Sequence, residues 1–261
     1  MADILYVYAI GVAGGLRAPS VEGVDGSSAF VVVEQGSLEA LTSRVDEAEF
    51  SQEEIDRKST DLDWLGRVGY RHQEVVAALR ETSDAIPLRA FTLFSGREAL
   101  RGYLEREAEA LGEVLERVRG REEWTLQIGF DERKWSRSVE SRSPALARLA
   151  REAEKAPEGR AYLLRKKMDE ERRNAAREAE QQLVAEIEQH LASALGAPMV
   201  VESRQKRSGT FPQIDVLLER ARSPEIDSVA SDLKNRYGAE GIELTLTGPW
   251  PPYTFVAEKR P

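Results

Sequence analysis

The chain has 261 residues, 41% of them hydrophobic and 32% charged, with no cysteine and a formal net charge of −9. That length favours two domains over one, and the hydrophobic share suffices for ordinary cores. The acidic balance argues against a general nucleic-acid binder, which needs a basic face, and the missing cysteines exclude disulfides, thiol nucleophiles and thiolate metal sites.

Met1-Ala2-Asp3 opens without the basic and apolar regions of a secretory signal, and no apolar run approaches the ~20 residues of a membrane helix. A soluble cytoplasmic protein with no lipid-membrane partner is expected. Ile4–Ile10 reads as a strand. Gly11, Gly14 and Gly15 follow it, but their spacing is not G-x-G-x-x-G. Pro19 and the loop-like Ser20–Ser28 then stand where a helix would have to begin, so a phosphate-binding loop is disfavoured. Ala29–Val33 and Leu38–Val45 flank Gln35-Gly36 as a hairpin. Ser51 with Glu54 has capping-box spacing, and a second helical stretch from Leu62 to Leu79 carries Leu62, Leu65, Val68, Val75, Val76 and Leu79. Ile86–Phe94 returns to strand character. Ser95 with Glu98 makes another capping box, for a helix through Leu100, Leu104, Leu111, Leu115 and Val118 that Gly120 stops. Residues 1–120 therefore form an α+β domain.

In the second half Trp124, Leu126, Ile128 and Phe130 alternate as a strand, and Ser143-Pro144 has the chemistry of a helix start. From Gly159 to Leu195 no proline or internal glycine interrupts the chain, Gly196 supplies a left-handed cap and Pro198 forbids continuation. This one helix would be about 55 Å long, against roughly 20 Å for an ordinary strand. Ala161, Leu164, Met168, Ala175 and Ala179 share one arc; Leu183, Val184, Ile187, Leu191, Ala194 and Leu195 lie on another. The second half is expected to pack on a sheet and the first half on something else. Met199–Glu202 and Phe211–Leu218 read as strands joined by the polar turn Ser203–Thr210, Ser223-Pro224 opens a helix over Ile226–Tyr237, and Ile242, Leu244 and Leu246 form a last strand. The order β-α-β-β-α-β is the split, ferredoxin-like arrangement, over residues 121–247. The fold class is α+β with two domains and a tail, 248–261.

Chemistry is sparse. His72 and His190 lie on separate helices without partners at metal-ligand spacing, no nucleophile motif stands out, and no cofactor or enzyme activity is expected. Arg165, Lys166 and Lys167 begin a run of eight charges in nine positions, either a solvated self-paired face or an arm that meets a partner. Arg204, Lys206 and Arg207 form a basic turn, either a solvated tip or an anion contact. The tail gathers Pro249, Trp250, Pro251, Pro252 and Tyr253; prolines suit a stiff extended strap, and the aromatics suit burial on the chain's own domains or on a partner.

The run Thr247-Gly248-Pro249-Trp250-Pro251-Pro252-Tyr253, followed by Phe255-Val256, resembles the terminal signature of the gas vesicle protein F/L family. Tyr6-Val7-Tyr8, Arg71-His72 with Val75-Val76, Ile86-Pro87-Leu88-Arg89, Glu123-Trp124 and the stretch from Gly159 to Lys167 fit the same family in the same order. One departure is Ala90-Phe91-Thr92, where the family favours Phe-Gly-Thr. The resemblance implies a non-enzymatic accessory protein of gas vesicles, cytoplasmic before assembly. It would bind the hydrophobic major shell protein and other accessory vesicle proteins, assist nucleation and limit aggregation. A ligand- or nucleic-acid-binding regulatory module built on the ferredoxin-like half is the rival class.

Overall fold

The computed structural model describes residues 4–202 and 212–256, without the side chains of 199–202. The basic turn Arg204, Lys206 and Arg207, and Phe211 at the expected start of a strand, lie outside the described residues. Two compact units result: Met1–Glu123 with Pro249–Pro261, and Trp124–Gly248. Of the tail set apart in the sequence, 248–261, the described residues 249–256 thus cluster with the first unit and Gly248 with the second.

The first unit is built on a sheet ordered β2-β3-β1-β4, made of β1 (Ile4–Val12), β2 (Val31–Gln35), β3 (Leu38–Val45) and β4 (Ala85–Pro87), with β5 (Leu93–Phe94) also on β1. β1 is antiparallel to β3, β4 and β5. The β2–β3 hairpin turns at Gly36, whose φ of 59° only glycine adopts freely. Nearly all of β1 is buried because helices cover both faces. A register shift between Val7 and Ala9 puts Tyr6, Tyr8 and Ala9 into one core cluster and Leu5, Val7 and Ile10 into another. Short helices α1 (Glu47–Phe50) and α2 (Gln52–Lys58) lead to α3 (Leu62–Thr82), which joins the first cluster through Trp64, Val68, Val75, Val76 and Leu79. Ser51 caps α2, its Oγ accepting the Glu54 amide at 3.4 Å.

Three expectations for this unit are corrected. The stretch 86–94 is two short strands, because Pro87 ends the first and Phe91 adopts φ 66°. The helix after it is two, α4 (Arg97–Arg106) and α5 (Ala108–Val118), broken at Glu107 with ψ near 9°. Ser95 does not cap α4: the capping position falls on Gly96, at φ 145°, which has no side chain to offer.

The second unit has a sheet ordered β7-β8-β6-β9, from β6 (Arg121–Phe130), β7 (Met199–Glu202), β8 (Gln213–Glu219) and β9 (Ile242–Trp250). Asp131 caps α6 (Glu132–Arg142), an element not anticipated, and Ser143 caps α7 (Pro144–Lys155), its Oγ accepting the Leu146 amide at 3.3 Å. α8 (Glu158–Leu195) is the long helix, ended by Gly196 at φ 54°. Leu183, Val184, Ile187, Leu191 and Leu195 bury themselves in one cluster with Trp124, Leu126 and Ile128 of β6 and Ile214, Val216 and Leu218 of β8. α9 (Ser223–Tyr237) adds Ile226, Ala230, Leu233 and Tyr237. α8 also packs on α6 and α7. Ala194, expected among the apolar positions, is exposed.

The extended strap is corrected too. β9 runs through Pro249 to Trp250, tolerated because β9 is an edge strand where a missing N–H is harmless. The chain then turns into α10 (Tyr253–Val256), with Pro252 just ahead of its first residue, where a fixed φ favours a helix start.

Candidate functional site

Four of the family-like motifs, those of Tyr6-Tyr8, His72, Leu88 and Tyr253, meet in the interior of the first unit, whereas Gly159–Lys167 lies on α8 of the second. Tyr6 and Tyr8 reach from β1 to His72 on α3: the Tyr6 hydroxyl lies 3.1 Å from Nδ1, and the Tyr8 ring stacks on the imidazole with centroids 5.7 Å apart. Nε2 of His72 is 3.0 Å from the carbonyl oxygen of Leu88. A carbonyl only accepts, so Nε2 carries the proton and Nδ1 accepts from Tyr6. The Tyr253 hydroxyl stands 3.3 Å from the same Nε2 and shares its N–H as a second acceptor. Burial holds the imidazole down at about 4, so it is neutral, and the same burial pushes the Tyr6 and Tyr253 phenols up. The Tyr6 oxygen also accepts the Phe91 amide at 3.0 Å, which fixes the left-handed residue in place.

Further contacts seat α10. Glu123 accepts from the amide and hydroxyl of Thr254 at 2.8 and 2.9 Å, and Arg117 donates to the Phe255 carbonyl at 3.2 Å. Pro251, Pro252 and Phe255 are buried, and Tyr253 is half-buried. Of the expected partner-binding residues in the tail, Pro249 is half-buried and Trp250 alone stays open, at 43%. Arg165, Lys166 and Lys167 sit, exposed, on α8 of the second unit.

The glycine loop after β1 holds an anion of the chain's own. The buried carboxylate of Glu39 accepts the amides of Gly14 and Leu16. Those donors, the ones a phosphate would need, are therefore occupied. Among the described residues no three His, Asp or Glu side chains cluster to hold a metal, and no helix is long and apolar enough to cross a membrane.

A surface unnoticed in the sequence lies on α3. Its buried residues Trp64, Val68, His72, Val75, Val76 and Leu79 take one side. At 100° per residue, Leu62, Gly66, Gly69, Gln73 and Tyr70 fall within about 100° of arc on the other side. Leu62 is 80% exposed and Tyr70 66%, and a methyl group on either glycine would meet no described atom within 4 Å beyond the neighbouring backbone of α3 itself. In sequence Leu62 is grouped with the helix's other apolar positions; the signal that separates it is the phase it shares with Gly66 and Gly69.

A model of the family described as gas vesicle synthesis protein GvpL/GvpF matches residues 4–257. The chain is 27% identical to gas vesicle protein L of a Streptomyces species over 257 residues, covering 96% of this chain and 92% of the relative. It is 24% identical to gas vesicle protein L1 of Halobacterium salinarum over 253 residues, covering 92% and 84%. In fold it is similar to crystal structures of GvpF from Anabaena sp. (TM-score 0.72, 13% identity, 99% of this chain and 100% of that one) and Microcystis aeruginosa (0.66, 15%, 97% and 99%). With a mixed α+β fold, those motifs in order and a family match over nearly its whole length, the chain belongs to the GvpL/GvpF family of gas vesicle proteins.

Proposed function

We propose that the protein is an accessory factor of gas vesicle assembly that binds the hydrophobic major shell protein, assists nucleation and limits aggregation, and that it meets this client through the exposed face of α3. The observation that carries the reading is a solvent-facing stripe, Leu62-Gly66-Gly69-Tyr70, without a charged side chain of its own and with Glu74 hydrogen-bonded to Tyr70 beside it, on a chain in which 32% of residues are charged. Each mid-helix glycine costs about 1 kcal/mol relative to alanine. Among the described residues nothing packed against these two requires that cost. A client backbone approaching closely over Gly66 and Gly69, flanked by Leu62 and Tyr70, would offset it. In this reading the surrounding charge keeps the complex soluble in the cytoplasm before assembly. Trp250 is the tail residue proposed to touch the client, while Pro251, Pro252 and Tyr253 hold the tail in place. The second unit, by its element order and strand order, is proposed as a ferredoxin-like scaffold. Arg165, Lys166 and Lys167 are proposed to meet other accessory vesicle proteins.

The test is capture of purified shell protein by the full chain and by a Leu62→Glu, Tyr70→Glu double variant, with circular dichroism on both. Loss of capture by a folded variant is expected. Full capture by the variant would remove α3 from the site, and no capture by the wild-type chain would remove the binding role itself.

A further inference from the structure

The second unit carries a charge inversion. Between Pro144 and Lys167 seven cations stand against three carboxylates, a surplus of four in a chain of net charge −9, which leaves −13 for the remainder. Four of these cations converge. Arg148, Arg151 and Lys155 of α7 and Arg160 of α8 line a cleft of about 340 Å³ together with Glu152, Ala156 and Pro157. All four are exposed, and none has a described carboxylate within 4.0 Å. The contrast with their neighbours is direct: Arg142 pairs with Glu240 at 2.5 Å, and Arg172 with both Glu140 and Asp169. Leu163 lies one turn beyond Arg160 on the same side of α8, 64% exposed, and Lys167 follows a turn later.

We propose that this cleft docks an acidic segment of a partner protein, with carboxylates held by the arginine forks and an aliphatic side chain laid over Leu163. Guanidinium groups pair with carboxylates bidentately, and unpaired cations gathered at one place gain the most from an external anion. Glu152 in the cleft wall, with Glu154 and Glu158 adjoining the lining residues in sequence, decides the class of partner. A nucleic acid or an anionic bilayer lays continuous negative charge across them, whereas a peptide places its carboxylates singly between them. The cleft belongs to the second unit and does not rest on the α3 reading.

The test uses the full chain and a fluorescein-labelled peptide of repeated Glu-Leu-Glu-Glu, read by anisotropy. Binding is expected to saturate, to weaken with salt and to fall roughly tenfold or more in an Arg151→Glu, Arg160→Glu variant. Should that variant not fold, an Arg151→Gln, Arg160→Gln pair gives the same reading with a smaller loss. A Leu163→Ala variant is expected to weaken binding several-fold with unchanged circular dichroism. Equal binding of the Gln-Leu-Gln-Gln peptide, undiminished binding by either arginine variant, or tighter binding of a DNA duplex or a phosphatidylserine vesicle would overturn the proposal. Lost peptide binding with intact shell-protein capture, or the reverse, separates this surface from the face of α3.

Discussion

The hydroxyl of Tyr253 stands 3.3 Å from Nε2 of His72, 181 positions earlier in the chain. The Leu88 carbonyl already accepts from that nitrogen at 3.0 Å, so the tyrosine hydroxyl is a supplementary acceptor and its ring is the larger contribution. Tyr253→Phe is expected to cost about 0.5–1 kcal/mol in denaturant unfolding, and Tyr253→Ala about 2–4 kcal/mol. Equal losses for the two would mean that the ring's packing contributes nothing.

His72 makes stability depend on pH. Burial lowers its folded pKa to about 4, against an ordinary value of 6.5, so between those values the unfolded chain binds more protons than the folded one. Stability is full above about 6.5 and falls as pH drops toward 4, by about 3 kcal/mol from this residue. Carboxylates titrate over part of the same range, so the measurement is a difference between wild type and His72→Gln, followed by urea midpoint from pH 7 to 4. Parallel curves for the two proteins would show that His72 is not the source.

Phe91 is the one non-glycine among the described residues at positive φ, 66°, at the position where the resemblance drawn from the sequence would place glycine. Its ring packs on Trp64 and Tyr6, with centroids 5.3 and 6.4 Å away, and this contact sustains the strained backbone. Removing the ring destabilises either way, but alanine keeps the strained Cβ while glycine does not. Phe91→Gly is therefore expected to be more stable than Phe91→Ala by about 1 kcal/mol, the reverse of the usual order. Thermal unfolding of the two variants decides it.

Gly66→Ala and Gly69→Ala should each stabilise the chain by about 0.5–1 kcal/mol, since both sit inside α3 with open space above them. On the proposed function the same substitutions weaken shell-protein capture by keeping the client's backbone at a distance. Higher melting temperature with undiminished capture would show that close approach over the glycines is not used.

Much of this fold was legible wherever local chemistry decides it. Gly196 and Pro198 end α8, Ser51 and Ser143 cap their helices, and Gln35-Gly36 turns the hairpin. The features that escaped are those in which tertiary packing overrides a local pattern. No glycine or proline marks the break at Glu107. α6 buries only Trp135 and Val139 among charged neighbours, too thin a stripe to announce a helix. Pro251-Pro252 read as an extended strap, yet proline just ahead of a helix is also a start signal, and burial of Phe255 selected that outcome. As for the candidate site, the aromatic tail could be singled out from sequence but not its seat, because His72 and Tyr253 become neighbours only in the fold. The α3 face was hidden because Leu62 looks like any other helical leucine.

Joining residues 4–123 to 249–256 has a consequence for how the protein is made. On the ribosome the first unit leaves before Tyr253, Thr254 and Phe255 exist, so the phenol that reaches His72 and the amide that Glu123 accepts arrive only after the whole second unit has been translated. The first sheet can form early, but closure of the unit awaits residues 253–255. A chain that stalls before Tyr253 leaves Glu123 and His72 without these particular contacts, and quality control would meet it as an unfinished molecule.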